Sequence, residues 1–299
     1  DEALSSVASG HAASEAGAAL DKALSEVRAG RSLHDALVSS TLDLAPYTKQ
    51  NVANPPTYLT AGPFSCVVPN PVETGTNGDD TLIINATGPN GGTYSLNGGP
   101  AVNLNGTVTF TFNGQGGNDT LRIINPPNGL FAPTGGIDFN GGGQPGDNME
   151  LLGGGGPGFN ETYFVGTTTP PIGGGPGNNG DGLVRFTGPN PVDIRFTGLA
   201  PIVDTVVAAS LTVVSTDAAN TISLTNGGVA PRLRVAVDAF EPLDFDNKTA
   251  LIINGGDGAA GGDLGDSITA NFTNIPVGLT SVTINGDEGN DTINVTATS

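Results

Sequence analysis

Nearly every apolar run between residues 76 and 299 is short and ends in glycine, asparagine, aspartate or proline. Runs such as VTFTF (108–112) and TINV (292–295) alternate apolar and polar residues, which is the period of a strand with one buried face. The chain has 47 glycines and 22 prolines, and its Thr, Val and Ile favour strands. The sequence therefore predicts an all-β region of short strands joined by tight turns.

One local sequence predicts a hairpin. The segment YSLNGGPAVNL, residues 94–104, places Asn-Gly-Gly between two alternating arms. Asn-Gly is the preferred centre of a two-residue β-hairpin turn. We therefore expect the two arms to pair in antiparallel fashion.

A longer unit recurs through the β region. It consists of a strand ending in Asn-Gly, a loop, and an aspartate that precedes another strand. The copies are TFNGQGGNDTLRI (111–123), DFNGGGQPGDNMEL (138–151), IINGGDGAAGGDLGDSITA (252–270) and TINGDEGNDTINV (283–295). A half copy occupies residues 76–84, and a degenerate copy at 215–224 has Asn220 in place of the aspartate.

The spacing of these copies predicts the fold. Asn113 and Asn140 are 27 residues apart, Asn254 and Asn285 are 31 apart, and the 114 residues between Asn140 and Asn254 equal four steps of about 28. This interval, filled by about three short strands, fits one coil of a stacked repeat. The sequence predicts a right-handed parallel β-helix, or β-solenoid, with tandem β-sandwich modules as the alternative.

Stacked coils would place the repeated polar residues above one another. The Asn side chains would form a hydrogen-bonded ladder, and the following glycines would adopt a positive φ at the corner. The aspartates would line one edge, where like charges repel unless they are protonated, solvated or bridged by a cation. Calcium suits such a site because it prefers carboxylate and carbonyl oxygens. The candidate metal ligands are Asp80, Asp119, Asp147, Asp266, Asp287 and Asp291.

The turns GQGGND and GDEGND resemble the nonapeptide Gly-Gly-x-Gly-x-Asp-x-apolar-x of RTX, or hemolysin-type, proteins. In that family the aspartate and the turn carbonyls bind calcium between successive turns. The matching residues are Asp119 with Gly117 and Asp291 with Gly289, and Asp287 stands upstream in the last copy. Residues 76–299 are more broadly similar to large secreted bacterial surface repeat proteins, which act as adhesins or surface-layer components.

The chain divides into three predicted regions. Residues 1–45 form a helical segment, residues 46–75 a proline-rich extended connector, and residues 76–299 the β-solenoid repeat domain. Within the first region, helices are expected over 12–29 and 32–38. His11 and His34 are expected at the surface, and the single Cys66 is expected to be a small buried residue.

The charge of the chain restricts its partners. Ten Lys and Arg against 29 Asp and Glu give a formal net charge of −19, which repels nucleic acids and anionic membranes. No apolar run reaches the length of a membrane span. Because residue 1 is Asp and the only methionine is Met149, we expect a removed signal peptide or a piece of a longer chain.

The residue types argue against an enzyme. The β region has six basic residues, for which salt bridges to nearby acidic residues are the expected role: Arg122, Arg185, Arg195, Arg232, Arg234 and Lys248. The chain has no Trp and four Tyr. We therefore expect an extracellular structural protein that self-associates into a polymer or layer or continues in a longer chain. The alternative is a calcium-dependent carbohydrate-active β-helix or a carbohydrate-binding adhesin module, which an Arg- and Tyr-lined groove would favour.

Overall fold

The structure is a computed structural model that describes residues 70–142, 146–169, 178–256 and 262–297. Within these ranges the chain forms strands, turns and loops, and no helix there is long and apolar enough to cross a membrane. The predicted N-terminal helices, His11, His34 and Cys66 lie outside the described residues.

Twenty strands are present in the described ranges. The first ten are β1 (Val72–Thr74), β2 (Thr81–Gly88), β3 (Gly91–Leu96), β4 (Val102–Asn105), β5 (Phe110–Asn113), β6 (Thr120–Ile124), β7 (Ile137–Asn140), β8 (Asn148–Leu152), β9 (Gly155–Val165) and β10 (Gly182–Thr187). The others are β11 (Val192–Thr197), β12 (Ile202–Asp204), β13 (Val207–Val214), β14 (Thr221–Asn226), β15 (Leu233–Val237), β16 (Leu243–Phe245), β17 (Lys248–Asn254), β18 (Ser267–Asn271), β19 (Ser281–Asn285) and β20 (Thr292–Ala297).

The strands form two large mixed sheets. Sheet A has nine strands in the order β1-β5-β7-β11-β10-β9-β13-β17-β19, and sheet B has eleven in the order β20-β18-β14-β15-β16-β12-β8-β6-β2-β3-β4. Both sheets contain strands from the beginning and from the end of the described chain. Tandem sandwich modules, the alternative, would instead give each half of the chain its own pair of sheets. The all-β prediction is confirmed.

The chain alternates between the sheets in two parallel blocks. In the first block, β1, β5 and β7 lie in sheet A while β2, β6 and β8 lie in sheet B; in the second, β13, β17 and β19 alternate with β14, β18 and β20. Neighbouring strands within each block pair in parallel, as Phe112 with Phe139 and Leu251 with Val282. We call each sheet A strand together with the sheet B strand that follows it a rung.

Antiparallel strands separate the two blocks. The meander β9-β10-β11 runs backwards through sheet A, so that β11 pairs with β7 and β9 pairs with β13. The meander β14-β15-β16 does the same in sheet B, where β16 pairs with β12. The prediction of four parallel coils between Asn140 and Asn254 is therefore wrong, because these meanders occupy much of that interval.

A single hydrophobic core lies beneath both sheets. Alternate residues of most strands enter it, as Leu121 and Ile123 do in β6 while Arg122 faces outward. Parallel pairing puts equivalent side chains in line, and the rings of Phe112 and Phe139 stack with centroids 5.2 Å apart. Stacked equivalent positions therefore keep the core continuous from one rung to the next.

The predicted hairpin is confirmed. β3 and β4 pair in antiparallel fashion, with Tyr94 opposite Val102. The connection has five residues, 97–101, and Asn97 and Gly98 have φ of 53° and 68° in a tight turn that the Gly99 N–H closes by donating to the Leu96 carbonyl. The hairpin continues sheet B beyond β2, at the outer edge of the first block.

Candidate functional site

The repeated aspartates lie at one corner, where the chain enters sheet B. Asp80, Asp119 and Asp147 precede β2, β6 and β8, and Asp266 and Asp291 precede β18 and β20. The side chains of the first four are buried. Such burial of carboxylates requires compensating hydrogen bonds.

In the first block the carboxylates of Asp119 and Asp147 bond the backbone of the preceding rung. The Asp80 N–H donates to Asp119 Oδ1 at 2.9 Å, and the Asp119 N–H donates to Asp147 Oδ1 at 2.7 Å. The Thr120 N–H then donates to the Asp80 carbonyl at 2.8 Å. A side-chain oxygen therefore supplies the acceptor that the sheet ladder lacks where the backbone turns the corner.

The second block repeats this arrangement. The Asn220 N–H donates to Asp266 Oδ1 at 2.8 Å, and the Asp266 N–H donates to Asp291 Oδ1 at 2.9 Å. We call these two series, Asp80-Asp119-Asp147 and Asn220-Asp266-Asp291, the aspartate ladders. The carboxylates of Asp119, Asp147, Asp266 and Asp291 thus bond the backbone of the neighbouring rung.

The first residue of each ladder has a cap, the residue that directly follows the adjacent antiparallel strand. Asn97 donates from Nδ2 to Asp80 Oδ1 at 2.5 Å, whereas Asn220 donates from Nδ2 to Asp238 Oδ2 at 2.7 Å. Asn97 and Asp238 both have positive φ, 53° and 45°. In the first ladder the cap is Asn and the ladder residue is Asp, whereas in the second the cap is Asp and the ladder residue is Asn. Neither cap therefore places two carboxylates together.

The glycine of each Asn-Gly pair faces a ladder carboxylate. A Cβ added at Gly114 would lie 2.1 Å from Asp119 Oδ2, and one at Gly141 would lie 2.4 Å from Asp147 Oδ2. The same relation holds for the pairs Gly255 with Asp266 and Gly286 with Asp291. None of these four glycines has a positive φ. The prediction of a left-handed corner at them is therefore wrong, because glycine is needed there to leave room for the carboxylate.

One rung shows what happens when a side chain occupies this position. Ser215 stands where the other rungs have glycine, and Asn220 stands where they have aspartate. Ser215 Oγ donates to the Gly255 carbonyl at 2.6 Å and contacts Asn220 Oδ1. A hydroxyl and an amide thus replace the glycine and carboxylate together, which keeps the buried polar atoms paired.

Three ladder carboxylates retain an unpaired oxygen. Oδ2 of Asp119, Asp147 and Asp266 is buried without a hydrogen-bond donor. Burial, with the charge of Asp119, raises the pKa of Asp147 to about 6, although the Asp119 N–H opposes the shift. Burial, with the charges of Asp263, Asp291 and Asp238, likewise raises the pKa of Asp266 to about 6.

The remaining candidate residue, Asp287, lies apart from the ladders. It sits in the turn after β19 with φ of 61°, and its Oδ2 accepts the Gly256 N–H at 3.1 Å. No group of three or more His, Cys, Asp or Glu that could hold a metal ion occurs within the described ranges. Calcium binding by the six candidate aspartates stays a prediction.

The predicted Asn ladder forms in part. Asn285 Nδ2 donates to Asn254 Oδ1 at 2.9 Å across one rung. In the first block Asn140 Oδ1 instead accepts from the Gly142 N–H and the Thr197 hydroxyl. Asn side chains therefore link rungs only where two Asn residues are in register and no closer donor competes.

Protonation of the ladders should stabilise the fold. Because the folded pKa of Asp147 and Asp266 is about 6, above the usual 3.8, the folded state holds protons that the unfolded state has released between those pH values. Stability should thus rise as pH falls from 7.5 to 5, by roughly 1 kcal/mol for each group, because the gain of about 1.4 kcal/mol per pH unit begins only below the folded pKa of about 6. Melting temperatures measured over this range test the sign.

A matched variant distinguishes the effect of ladder protonation on stability from the effect of the chain's other acidic residues. Asp147→Asn keeps an acceptor for the Asp119 N–H but cannot ionise. It should raise the melting temperature at pH 7.5 and flatten its pH dependence. A variant that is less stable than the native chain at pH 7.5 would contradict the prediction.

Five of the six predicted basic residues are in ion pairs. Arg122 pairs with Glu150, Arg234 with Asp244, and both Arg185 and Arg195 with Asp193. The fifth, Lys248, is fully buried with Glu161 and Asp204. This buried cluster was not predicted from the sequence, although Glu161 stands two residues from core residues Phe159 and Tyr163 on the same face of its strand.

A cavity of about 360 Å³ opens beside the Arg185 and Arg195 pairs. Its lining includes both arginines and Asp193, which engage one another, and includes no tyrosine among the described residues. Asp138 also lies 3.5 Å from Arg195 Nη1, so two carboxylates already face the two arginines. This cavity lacks the Arg and Tyr combination that would favour the carbohydrate-active alternative.

No family model matches the chain, and comparisons with curated proteins and with solved structures give no significant match.

Proposed function

We propose that this chain is an extracellular structural protein whose β domain self-assembles end to end as a unit of a surface layer, filament or adhesin. The finer fold in this proposal is a β-solenoid with two inserted meanders. Its support is the alternation of the chain between sheets in both parallel blocks and the corner ladders that repeat from rung to rung.

The observation that carries the assembly proposal is an uncovered core surface at β19 and β20. These strands lie at the same outer edge of the two sheets. Val282 is in register with Leu251, Ile293 with Ile268, and Val295 with Ala270. The three inner residues are buried, whereas the outer three are 37%, 48% and 59% exposed. We call these three outer residues the open rung.

A further rung is the natural partner of the open rung. Each outer strand presents unpaired backbone groups and core-type side chains, a combination that promotes strand pairing with another chain. At the other outer edge sheet A ends in the three-residue β1, and sheet B ends in the β3-β4 hairpin. A second copy, or further residues of a longer chain, would extend both sheets and bury the open rung.

Paired substitutions in β20 test this proposal. Ile293→Asp places a charge on the core face of the open rung, whereas Asn294→Asp places the same charge on the opposite face of the strand. Sedimentation over a range of concentrations should show assembly by the native chain and by Asn294→Asp, and its loss in Ile293→Asp. A native chain that stays monomeric throughout would overturn the proposal.

Calcium stabilisation remains part of the proposal. Buried, unpaired ladder oxygens and the charge of −19 support a role for cations. A melt of the native chain with and without a chelator, repeated with added calcium, tests it. An unchanged melting temperature and unchanged sedimentation would leave protonation as the means by which the ladders are neutralised. The absence of enzymatic activity and the carbohydrate-active alternative stay predictions.

A further inference from the structure

Three ionisable side chains meet inside the core between the two sheets. Lys248 begins β17 and Glu161 lies in β9, both in sheet A, whereas Asp204 ends β12 in sheet B. All three side chains are 0% exposed. Lys248 Nζ lies 2.6 Å from Glu161 Oε2 and 3.2 Å from Asp204 Oδ1. We call Lys248, Glu161 and Asp204 the buried triad.

The surroundings of the buried triad exclude water. The ring of Phe186 has its centroid 5.9 Å from Nζ, and the neighbouring Val206 and Ala208 are buried. Lys248 Nζ donates to the Val206 carbonyl at 2.7 Å. The Val206 N–H donates to Asp204 Oδ1, also at 2.7 Å. The amine and one carboxyl oxygen are thus held by the two backbone groups of a single residue.

As a simple ion pair, the buried triad is unbalanced. Two carboxyl groups face one ammonium, and Glu161 Oε1 and Asp204 Oδ2 have no hydrogen-bond partner. Desolvation of buried charges costs more than a single pairing returns. Burial and the charge of Asp204 raise the pKa of Glu161 well above its usual range. A proton on Glu161 therefore relieves the excess of carboxyl groups over the single ammonium.

We propose that Lys248 and Asp204 condense into an intramolecular amide bond, with Glu161 as the proton carrier. The Lys248 ammonium gives one proton to the carboxyl pair, and its neutral Nζ attacks Cγ of Asp204. Glu161, which is protonated at this stage, gives its proton to the departing Asp204 Oδ2 hydroxyl and then accepts the second proton from the nitrogen. The Nζ–Cγ bond forms, the Cγ–Oδ2 bond breaks, and one water leaves, so the step is balanced without any oxidant or co-reactant.

The geometry assigns a role to each group. Lys248 Nζ lies 3.2 Å from Asp204 Oδ1, an oxygen bonded to the carbon that the amine attacks, so the two reacting groups are already adjacent. The Val206 N–H points at Oδ1, the oxygen that carries negative charge during the attack and then becomes the amide oxygen. Oδ2 has no donor to hold it, as suits the oxygen that departs. Glu161 touches the nitrogen from which it takes the proton.

Asp204 rather than Glu161 is the acyl partner. Asp204 Oδ1 has a backbone donor, whereas neither oxygen of Glu161 is hydrogen-bonded by a backbone group. The resulting bond would join β12 of sheet B to β17 of sheet A. A covalent link between the sheets restricts the unfolded chain and so slows or prevents separation of the two layers. Such a bond suits a protein that bears load at a surface.

The mass of the purified full-length chain tests the proposal. The native chain should be lighter than its sequence by one water molecule. Trypsin should leave residues 196–232 joined to residues 235–299, because an acylated Lys248 resists cleavage. Fragmentation of this branched peptide should place the link at Asp204. A native chain of full sequence mass that is cut at Lys248 would overturn the proposal, and a link at Glu161 would overturn the assignment of Asp204.

Three variants assign the roles within the reaction. Asp204→Ala should show the full sequence mass. Asp204→Asn, if it reacts, should lose one ammonia instead of one water, because the amide nitrogen then departs. Glu161→Gln retains both reacting groups and should show little or no mass loss. Complete water loss in Glu161→Gln would overturn its role, and circular dichroism confirms that each variant is folded. The native mass is decisive even if every variant fails to fold.

Discussion

Replacing Lys248 with methionine should cost about 3 to 5 kcal/mol of stability. The substitution conserves most of the side-chain volume but removes the cation that faces Glu161 and Asp204, both of which are fully buried. The Val206 carbonyl also loses its donor. Denaturant unfolding at neutral pH measures the loss.

A compensated variant shows how much of this loss is electrostatic. Combining Lys248→Met with Glu161→Leu and Asp204→Asn removes all formal charge and keeps an acceptor for the Val206 N–H. Apolar replacement of buried ion clusters is often neutral or stabilising. Recovery to native stability would mean that the charges alone account for the loss. A persistent deficit relative to the native chain is expected if the Lys248–Asp204 bond contributes as well.

Gly117→Ala should destabilise the first block by about 3 kcal/mol or more. Gly117 has φ of +104°, and an added Cβ would lie 2.4 Å from the carbonyl carbon of Gly78 in the preceding rung. The new methyl group would meet backbone, which cannot rotate away as a side chain can. Chemical denaturation of the variant measures the cost.

Two further glycines serve as controls. Gly289 repeats the arrangement in the second block, with φ of +103° and a Cβ position 2.8 Å from Gly265 N. Gly98 also has a positive φ but has open space around its Cβ position. Gly98→Ala should therefore cost only the backbone strain, about 1 kcal/mol. Equal losses in Gly98→Ala and Gly117→Ala would contradict close approach between rungs as the cause.

The strands and corners were predictable because their signals are local. Alternation defined β6 and β20, and the Asn97-Gly98 pair defined the hairpin. The recurrence of aspartate before sheet B strands also aligned Asn220 with Asp266, and the structure places them as ladder neighbours. A repeated residue that is buried in each copy must solve the same structural problem in each rung.

The meanders were not predictable from the same signals. A strand such as β10 has the same alternation whether its neighbours run parallel or antiparallel, so pattern alone does not reveal pairing. The buried triad escaped detection for a related reason. Asp204 lies in the three-residue β12, too short to show a period, and Lys248 lies three residues before the core residue Leu251, which breaks the alternation of β17.

The caps made by Asn97 and Asp238 mark regions of the chain that differ in how readily they can accept a change of length. In the block that follows each cap along its ladder, rungs pair in parallel. The 28 residues from Asp119 to Asp147 form one complete step of the first block. A tandem duplication of that step would present the same edges to its neighbours and lengthen the protein. A duplication within residues 155–245 would instead double strands whose neighbours on both sides are fixed by the meanders. Length is therefore free to vary within the parallel blocks, whereas the segment that joins them is constrained to a single size.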